Sequence, residues 1–304
     1  MVFIGDPGAV MDGGNSRPWA FQTDRYQAHH VTVSNLEIRN YSSGFQQAAV
    51  ILAAPNNVIS DCWVHHNGAV GVQLGSGGQA IRLRSTQNGH LGLKILDSVG
   101  SLVDRCELDD NNLTLVDQGN NEAGGLKALR CRGLIVRGTK ARRNQGPGLW
   151  TDYECYDVTY EDNLVEDNML DMPGIFHEVS GAAVIRRNVL RGGGGIAFHD
   201  SEDVEVYEND LDVIRKGIGA VSSGRPDRHP VRNCYVHHNR IKYREHWSGI
   251  FRTDAPDNPY TATANNRWRD NTYDLTQWGG GDGPFRWASG YLGLTAWRAA
   301  GQDA

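Results

Sequence analysis

The sequence predicts an all-β solenoid, a parallel β-helix with three short strands per coil. Three observations predict it: a glycine-led segment returns at a near-constant period, an alternating apolar–polar segment precedes each return, and no helical periodicity lies between them. The glycine segments start at Gly71, Gly92, Gly125, Gly148, Gly174, Gly195, Gly217 and Gly249, 21 to 33 residues apart, on a base period of 21 to 23. The alternating segments, VISDCWVHHN, LVDRCELDDN, IVRGTKARRN, VTYEDNLVEDN and NCYVHHN, each end in Asn. Alternation marks strands with one buried face. The closing Asn (Asn67, Asn111, Asn144, Asn168, Asn239) suits a turn where its side chain bonds neighbouring backbone, and stacked coils would align these side chains in a ladder. A leucine-rich repeat needs a Leu frame and a helical segment, and a propeller blade needs about 40 residues. Neither fits.

At 304 residues the chain is long enough for two domains, but the repeat makes it one solenoid over residues 1–255, closed by a non-repeating cap over 256–304. Residues Val31 to Ala255 give roughly nine coils at this period. Hydrophobic residues are 39% and charged residues 22%, a globular composition. The net charge of −6 argues against a nucleic-acid partner, which phosphate contacts would tie to a basic surplus. No apolar run is long enough to span a membrane, so no membrane partner is expected. Five cysteines at positions 62, 106, 131, 155 and 234 fit neither a zinc spacing nor an even disulfide framework, and read as buried free thiols. Cys62, Cys106 and Cys234 fall where other coils carry Asn163, Asn188 and Asn209, an internal column.

These Asn-ending coils, over about residues 29 to 255, resemble the right-handed parallel β-helix proteins of the pectate-lyase-like superfamily. The stretches EAGGLKALRC, NQGPGLWTDY and NMLDMPGIFHEVSGAAVIRRN are similar to bacterial right-handed β-helix repeat proteins. The resemblance implies a right-handed solenoid, a carbohydrate partner and a secreted or extracytoplasmic location, although the chain begins with no recognisable leader. FIGDPGAVMDGG resembles an early coil of such proteins, where a capping helix and first strand ordinarily come before, so the N-terminal cap is expected to be missing. At the other end Trp268, Trp278, Trp287 and Trp297 are expected to close the stack, with LTAWRAAGQD as a short helix or turn, since solenoid ends must cover their apolar rungs. A carbohydrate platform is the competing reading of these tryptophans.

Within each glycine segment the second and fourth positions are mostly apolar and point inward, so the third and fifth face out. The fifth positions of three consecutive coils are Asp152, Glu178 and His199. Trp150 and Phe176 precede the two acids on the same face, and Lys127 and Lys94 lie on earlier coils. Like charges on neighbouring strands are destabilising, and that cost is often tolerated for function. Three longer connections, TLVDQGNNEAG, LDMP and the loop around SGRPDRHP, would flank this strip as groove walls. His177 falls inward beside Thr151. A core histidine is its first reading, and its adjacency to Glu178 keeps it with Trp150, Phe176 and Lys94 as a substrate-contacting candidate. Arg252 also falls inward, as if the last coils lose register.

Two carboxylates one rung apart match the short separation of retaining glycosidases, and one acid would have its pKa raised by the other. Glu178 is the expected proton donor, Asp152 the nucleophile or base, His199 a hydroxyl-positioning group and Lys127 a further catalytic candidate. The reaction expected is hydrolysis of a polysaccharide or oligosaccharide without a cofactor. The first alternative is a polysaccharide lyase or C5-epimerase acting on a uronate polymer, in which Lys127, Lys94 or His199 is the base and the acids hold Ca²⁺. The Asp-rich calcium pattern of pectate lyases is not evident. The second alternative is a non-catalytic carbohydrate-binding β-helix. Fold alone does not choose among them.

Overall fold

The computed structural model describes residues 1–23, 28–113, 115, 122–288 and 290–304. It is a right-handed parallel β-helix. Parallel strands stack into three faces, and among the described residues the first face carries 11 rungs, from Val2–Ile4 to Arg267–Arg269. Its inward column runs unbroken from Val33 through Ile59, Val136, Tyr160 and Val236 to Trp268, all fully buried. The alternation read from the sequence is this column: one side chain in three enters the core and its neighbours face water. All five cysteines are free and buried. No helix among the described residues is long and apolar enough to cross a membrane.

Asparagine ladders brace two different corners. Asn67, Asn88, Asn111, Asn144 and Asn168 form one, between the second and third faces, each amide donating to the next carbonyl oxygen at 2.8 to 3.1 Å. Asn163, Asn188, Asn209, Asn239 and Asn271 form the other, between the first and second faces, at 2.8 to 2.9 Å. Asn239 therefore belongs to the second ladder, not with Asn67. Cys62 and Cys106 do precede second-face strands, in line with Asn163 and Asn188. Cys234 instead precedes the first-face strand Tyr235–His237 and bonds Asn266 through its backbone.

The coils run past Ala255. Arg267–Arg269, Thr272–Asp274 and Phe285–Trp287 add one more parallel rung to each face. The repeat ends where Gly290–Leu292 turns back antiparallel on Phe285–Trp287 and the helix Leu294–Ala299 follows. Trp268, Trp287 and Trp297 pack edge to face at 5.7 to 5.9 Å and close the core. Trp278 is only half-buried and packs against this core from outside, without a ring contact to the other three.

Candidate functional site

The third face holds the predicted strip in the predicted register. Asp152 lies opposite Glu178, and Glu178 opposite His199. Trp150 lies opposite Phe176, and Phe176 opposite Ala197. Neighbouring rungs are about 4.8 Å apart. These side chains line a cleft of about 350 Å³. All three longer connections contribute to its wall: Asp171, Met172 and Pro173 from LDMP, Arg225 from the SGRPDRHP loop, and Glu122. Residues 114 and 116–121 of TLVDQGNNEAG lie outside the described residues.

Each acid of the pair has a cation. The Lys127 ammonium, fully buried, sits 3.0 Å from Asp152 and 2.7 Å from Glu122, over the Trp150 ring at 3.4 Å. The Arg225 guanidinium donates to Glu178 at 2.8 Å and to Asp227 at 3.0 Å. Burial, then the Asp152 charge, raises the Glu178 carboxyl to about 7, and Arg225 offsets part of that rise. His199 is buried against Phe176, ring centroids 4.8 Å apart. Burial, then the Lys216 and Arg225 charges, pushes it down to about 3, so its imidazole is neutral. Its Nε2 has no hydrogen-bond partner, nor does the Trp150 indole nitrogen. Buried polar atoms without partners are uncommon, and here they border the cleft. Among the described residues no group of three or more His, Cys, Asp or Glu side chains is arranged to hold a metal ion.

Three expectations change. Trp150 and Phe176 face outward but are only 3% and 5% exposed. They stack at 5.5 Å and pack with Met172 as a small satellite core. They are a dry floor for the carboxylates rather than an open stacking platform. His177 lies inside the coil, away from the cleft. The Gly181 carbonyl accepts from its Nε2 at 2.8 Å, which leaves Nδ1 to accept from the Thr151 hydroxyl at 2.7 Å. Tyr160 in turn donates to Thr151 at 3.1 Å. Burial lowers the His177 pKa to about 4. Lys94 faces outward one rung before Lys127 but does not line the cleft, its ammonium donating to the Gln46 carbonyl at 3.2 Å.

The sequence reading missed Arg225, Lys216 and Glu122 as individuals. Arg225 and Glu122 sit in loops it marked. Lys216 sits where the strand Asp210–Ser222 carries one extra residue against its neighbour, in a left-handed conformation with φ 56°. The spacing of 22 from Gly195 to Gly217, after 21 from Gly174 to Gly195, is that bulge seen in sequence. Burial, then the Arg215 charge, lowers the Lys216 ammonium's pKa.

Comparison of the sequence with curated proteins finds no match. Among solved structures the chain is similar to XylC in complex with xylose, at a TM-score of 0.61 and 12% identity, over 75% of this chain and 44% of that one. The chain thus spans less than half of XylC. It is also similar to pectate lyase Pel9A, at 0.53 and 14% identity, over 85% of this chain and 70% of that one. The A-module of the Azotobacter vinelandii mannuronan C-5 epimerase AlgE6 aligns at 0.46 and 11% identity, over 83% of this chain and 65% of that one. Each likeness is one of fold. Residues 48–211, more than half of the sequence, match the right handed beta helix region, and to that family the chain belongs.

Proposed function

We propose that this protein hydrolyses glycosidic bonds in a polysaccharide, with Glu178 and Asp152 as the reacting pair. One observation carries the reading: two carboxylates oppose each other on adjacent rungs in one cleft, and one of them is held near 7. A carboxylic acid poised there is protonated often enough at neutral pH to act as a general acid. Its proton passes to the glycosidic oxygen as the bond to the anomeric carbon breaks. Asp152, paired with Lys127, attacks that carbon from the other side. Water, deprotonated by Glu178, then releases the sugar and restores both groups. The rung spacing of about 4.8 Å favours this two-step course over single displacement, which needs carboxylates about 6.5 to 9.5 Å apart. The free Nε2 of His199 is suited to a substrate hydroxyl. The fold shared with XylC, solved with xylose, and with pectate lyase Pel9A supports a saccharide ligand. A polymeric substrate would place the protein outside the cytoplasm.

Lys216 favours a second reading, a lyase or C5-epimerase. Its lowered pKa and its place in the cleft suit a base that removes a proton beside a uronate carboxylate. One experiment separates the readings. The protein, Glu178→Gln and Asp152→Asn are incubated with neutral and uronate polysaccharides, with and without Ca²⁺. Reducing ends and the ultraviolet absorbance of unsaturated uronates are read from the same samples. Hydrolysis predicts reducing ends without absorbance, lost in both variants. Absorbance that grows with the reducing ends makes the protein a lyase. Binding without either signal leaves a C5-epimerase, which would change the uronate composition of the recovered polymer, or a carbohydrate-binding module, which would not.

A further inference from the structure

We infer that the groove continues along the solenoid axis into a second saccharide-binding cleft, built by Trp247, Trp278 and Tyr291, which holds an uncharged sugar unit remote from the carboxylates. The occupant's identity rests on the function proposed above. The cleft measures about 290 Å³ and is also lined by Glu245, His246 and Asp282. Trp247 lies across the third face where the rung has no side chain. Gly219 occupies the column of Trp150, Phe176 and Ala197, and a Cβ there would stand 2.6 Å from the indole Cζ3. Trp278, the tail tryptophan that does not close the core, is held by its indole N–H to the His246 carbonyl at 3.4 Å. Tyr291 is 40% exposed, with the Arg286 guanidinium 4.2 Å from its ring. The opposite wall is a run of glycines, and a Cβ at Gly279 or Gly281 would meet nothing within 4 Å.

The two clefts adjoin. Lys216 lines the first and holds its ammonium 6.0 Å from the Trp247 ring in the second. Arg215 pairs with Asp171 on the wall of the first and reaches His246 at 2.9 Å and Glu245 at 3.5 Å in the second. Trp247 is itself only 7% exposed and forms the floor, so the half-buried Trp278 and the exposed Tyr291 offer the ring faces, and with carboxylates beside them they match a pyranose, whose apolar face stacks while its hydroxyls donate. Glu245 and Asp282 disfavour an acidic sugar at this position. Five rung steps, from Leu149–Asp152 to Phe285–Trp287, span about 24 Å, enough for an extended chain of several sugars. The ring surface that Trp150 and Phe176 withhold is thus offered farther along the same groove.

The test is calorimetric titration of Glu178→Gln, which keeps the ligand intact, with dimers and hexamers of xylose, β-1,4-glucose, mannose and galacturonate. The expected result is a neutral hexamer that binds more tightly than its dimer. Trp278→Ala should weaken the hexamer about fivefold to tenfold, the loss of one aromatic stack. Gly281→Gln, whose Cβ would meet nothing within 4 Å and whose side chain narrows the cleft, should do the same. The inference is overturned if dimer and hexamer bind alike, if both variants weaken them equally, if only galacturonate binds, or if no member binds. Reducing-end release from the same hexamers by the unmodified protein is measured separately. Length-dependent binding without cleavage sinks the proposed hydrolysis and leaves the second cleft standing.

Discussion

On the second face and its corners, an acid on one rung meets an arginine on the next: Asp61 pairs with Arg82, Asp109 with Arg142, Asp110 with Arg143 and Asp162 with Arg187, at 2.6 to 2.9 Å. On the third face, at the same rung spacing, Asp152 meets Glu178. The scaffold can satisfy charge from within its own ladder, and here it does so for Asp152 but not for Glu178. The compensating cations come partly from elsewhere, Arg225 from an inserted loop and Lys127 from the preceding rung. Charge placed against the repeat's own habit is what the proposed chemistry rests on, because the repeat supplies the control. The largest test exchanges the two kinds of acid. Glu178→Gln or Asp152→Asn should lower turnover about 10²- to 10⁴-fold. Asp109→Asn should leave turnover unchanged and cost about 2 kcal/mol of stability, since Arg142 loses a charged partner that is almost fully buried. Equal turnover in all three would remove the distinction between the faces.

Stability against pH separates the faces next. Glu178 holds its proton to about 7, against an ordinary 4.5. Between those values the unfolded chain has released a proton that the folded chain keeps. The fold therefore loses stability as pH rises through that window, by about 3 kcal/mol in all. His199 and His177 work the other way, held near 3 and 4 against an ordinary 6.5. Below 6.5 the unfolded chain takes up protons that the folded core refuses, and stability falls with pH. Denaturant melts from pH 4 to 8 should show Glu178→Gln losing the decline toward pH 7 and His199→Asn losing part of the acid decline. A Glu178→Gln curve parallel to the parent's would show that the carboxyl is not held by its surroundings.

The strip was legible because parity survives insertion. A loop can lengthen a coil by ten residues without changing which side of the next strand faces out, so Asp152, Glu178 and His199 align whatever the connections do. The burial of Trp150 and Phe176 was not legible, since Met172 covers them from a loop whose path the strands do not encode. The misplaced Asn239 and Cys234 have one cause. DCWVHHN at 61–67 and NCYVHHN at 233–239 are nearly the same heptapeptide. They even fold alike, with paired histidine Nδ1 atoms 2.7 and 2.8 Å apart. Yet Trp63–His65 lies on the second face and Tyr235–His237 on the first. A motif that makes strand, turn and ladder contact serves any corner, and only the count of coils between decides which. The coil of Ser248–Arg252 slips as well: Phe251 lies opposite Val221 rather than Gly219, a shift of two that keeps parity, and Arg252 turns to donate to the Ala255 carbonyl.

The smallest effects belong to the loop that brings Arg225. Arg225→Ala removes the charge that holds Glu178 down, so the falling limb of the rate at high pH should move further up. His229 tethers the same loop, its Nδ1 3.1 Å from Glu202 and its Nε2 3.2 Å from Glu154. A neutral imidazole has one N–H and can donate to one of these carboxylates, whereas an imidazolium donates to both. The ring thus spans the two carboxylates from the loop. Tyr156 already donates to Glu154, and Arg232 to Glu202 at 2.6 Å, so neither acid is left alone when His229 lets go. His229→Leu should consequently cost less than about 1 kcal/mol of stability, in the range of partly exposed ion pairs. It should shift the pH–rate profile in the direction of Arg225→Ala, by less. A shift as large as that of Arg225→Ala would mean that the loop positions Arg225 through this single imidazole. No shift at all would mean that Arg225 is held by Glu178 and Asp227 alone, and that the third face, like the second, needs no more than its own charges to fix the pair.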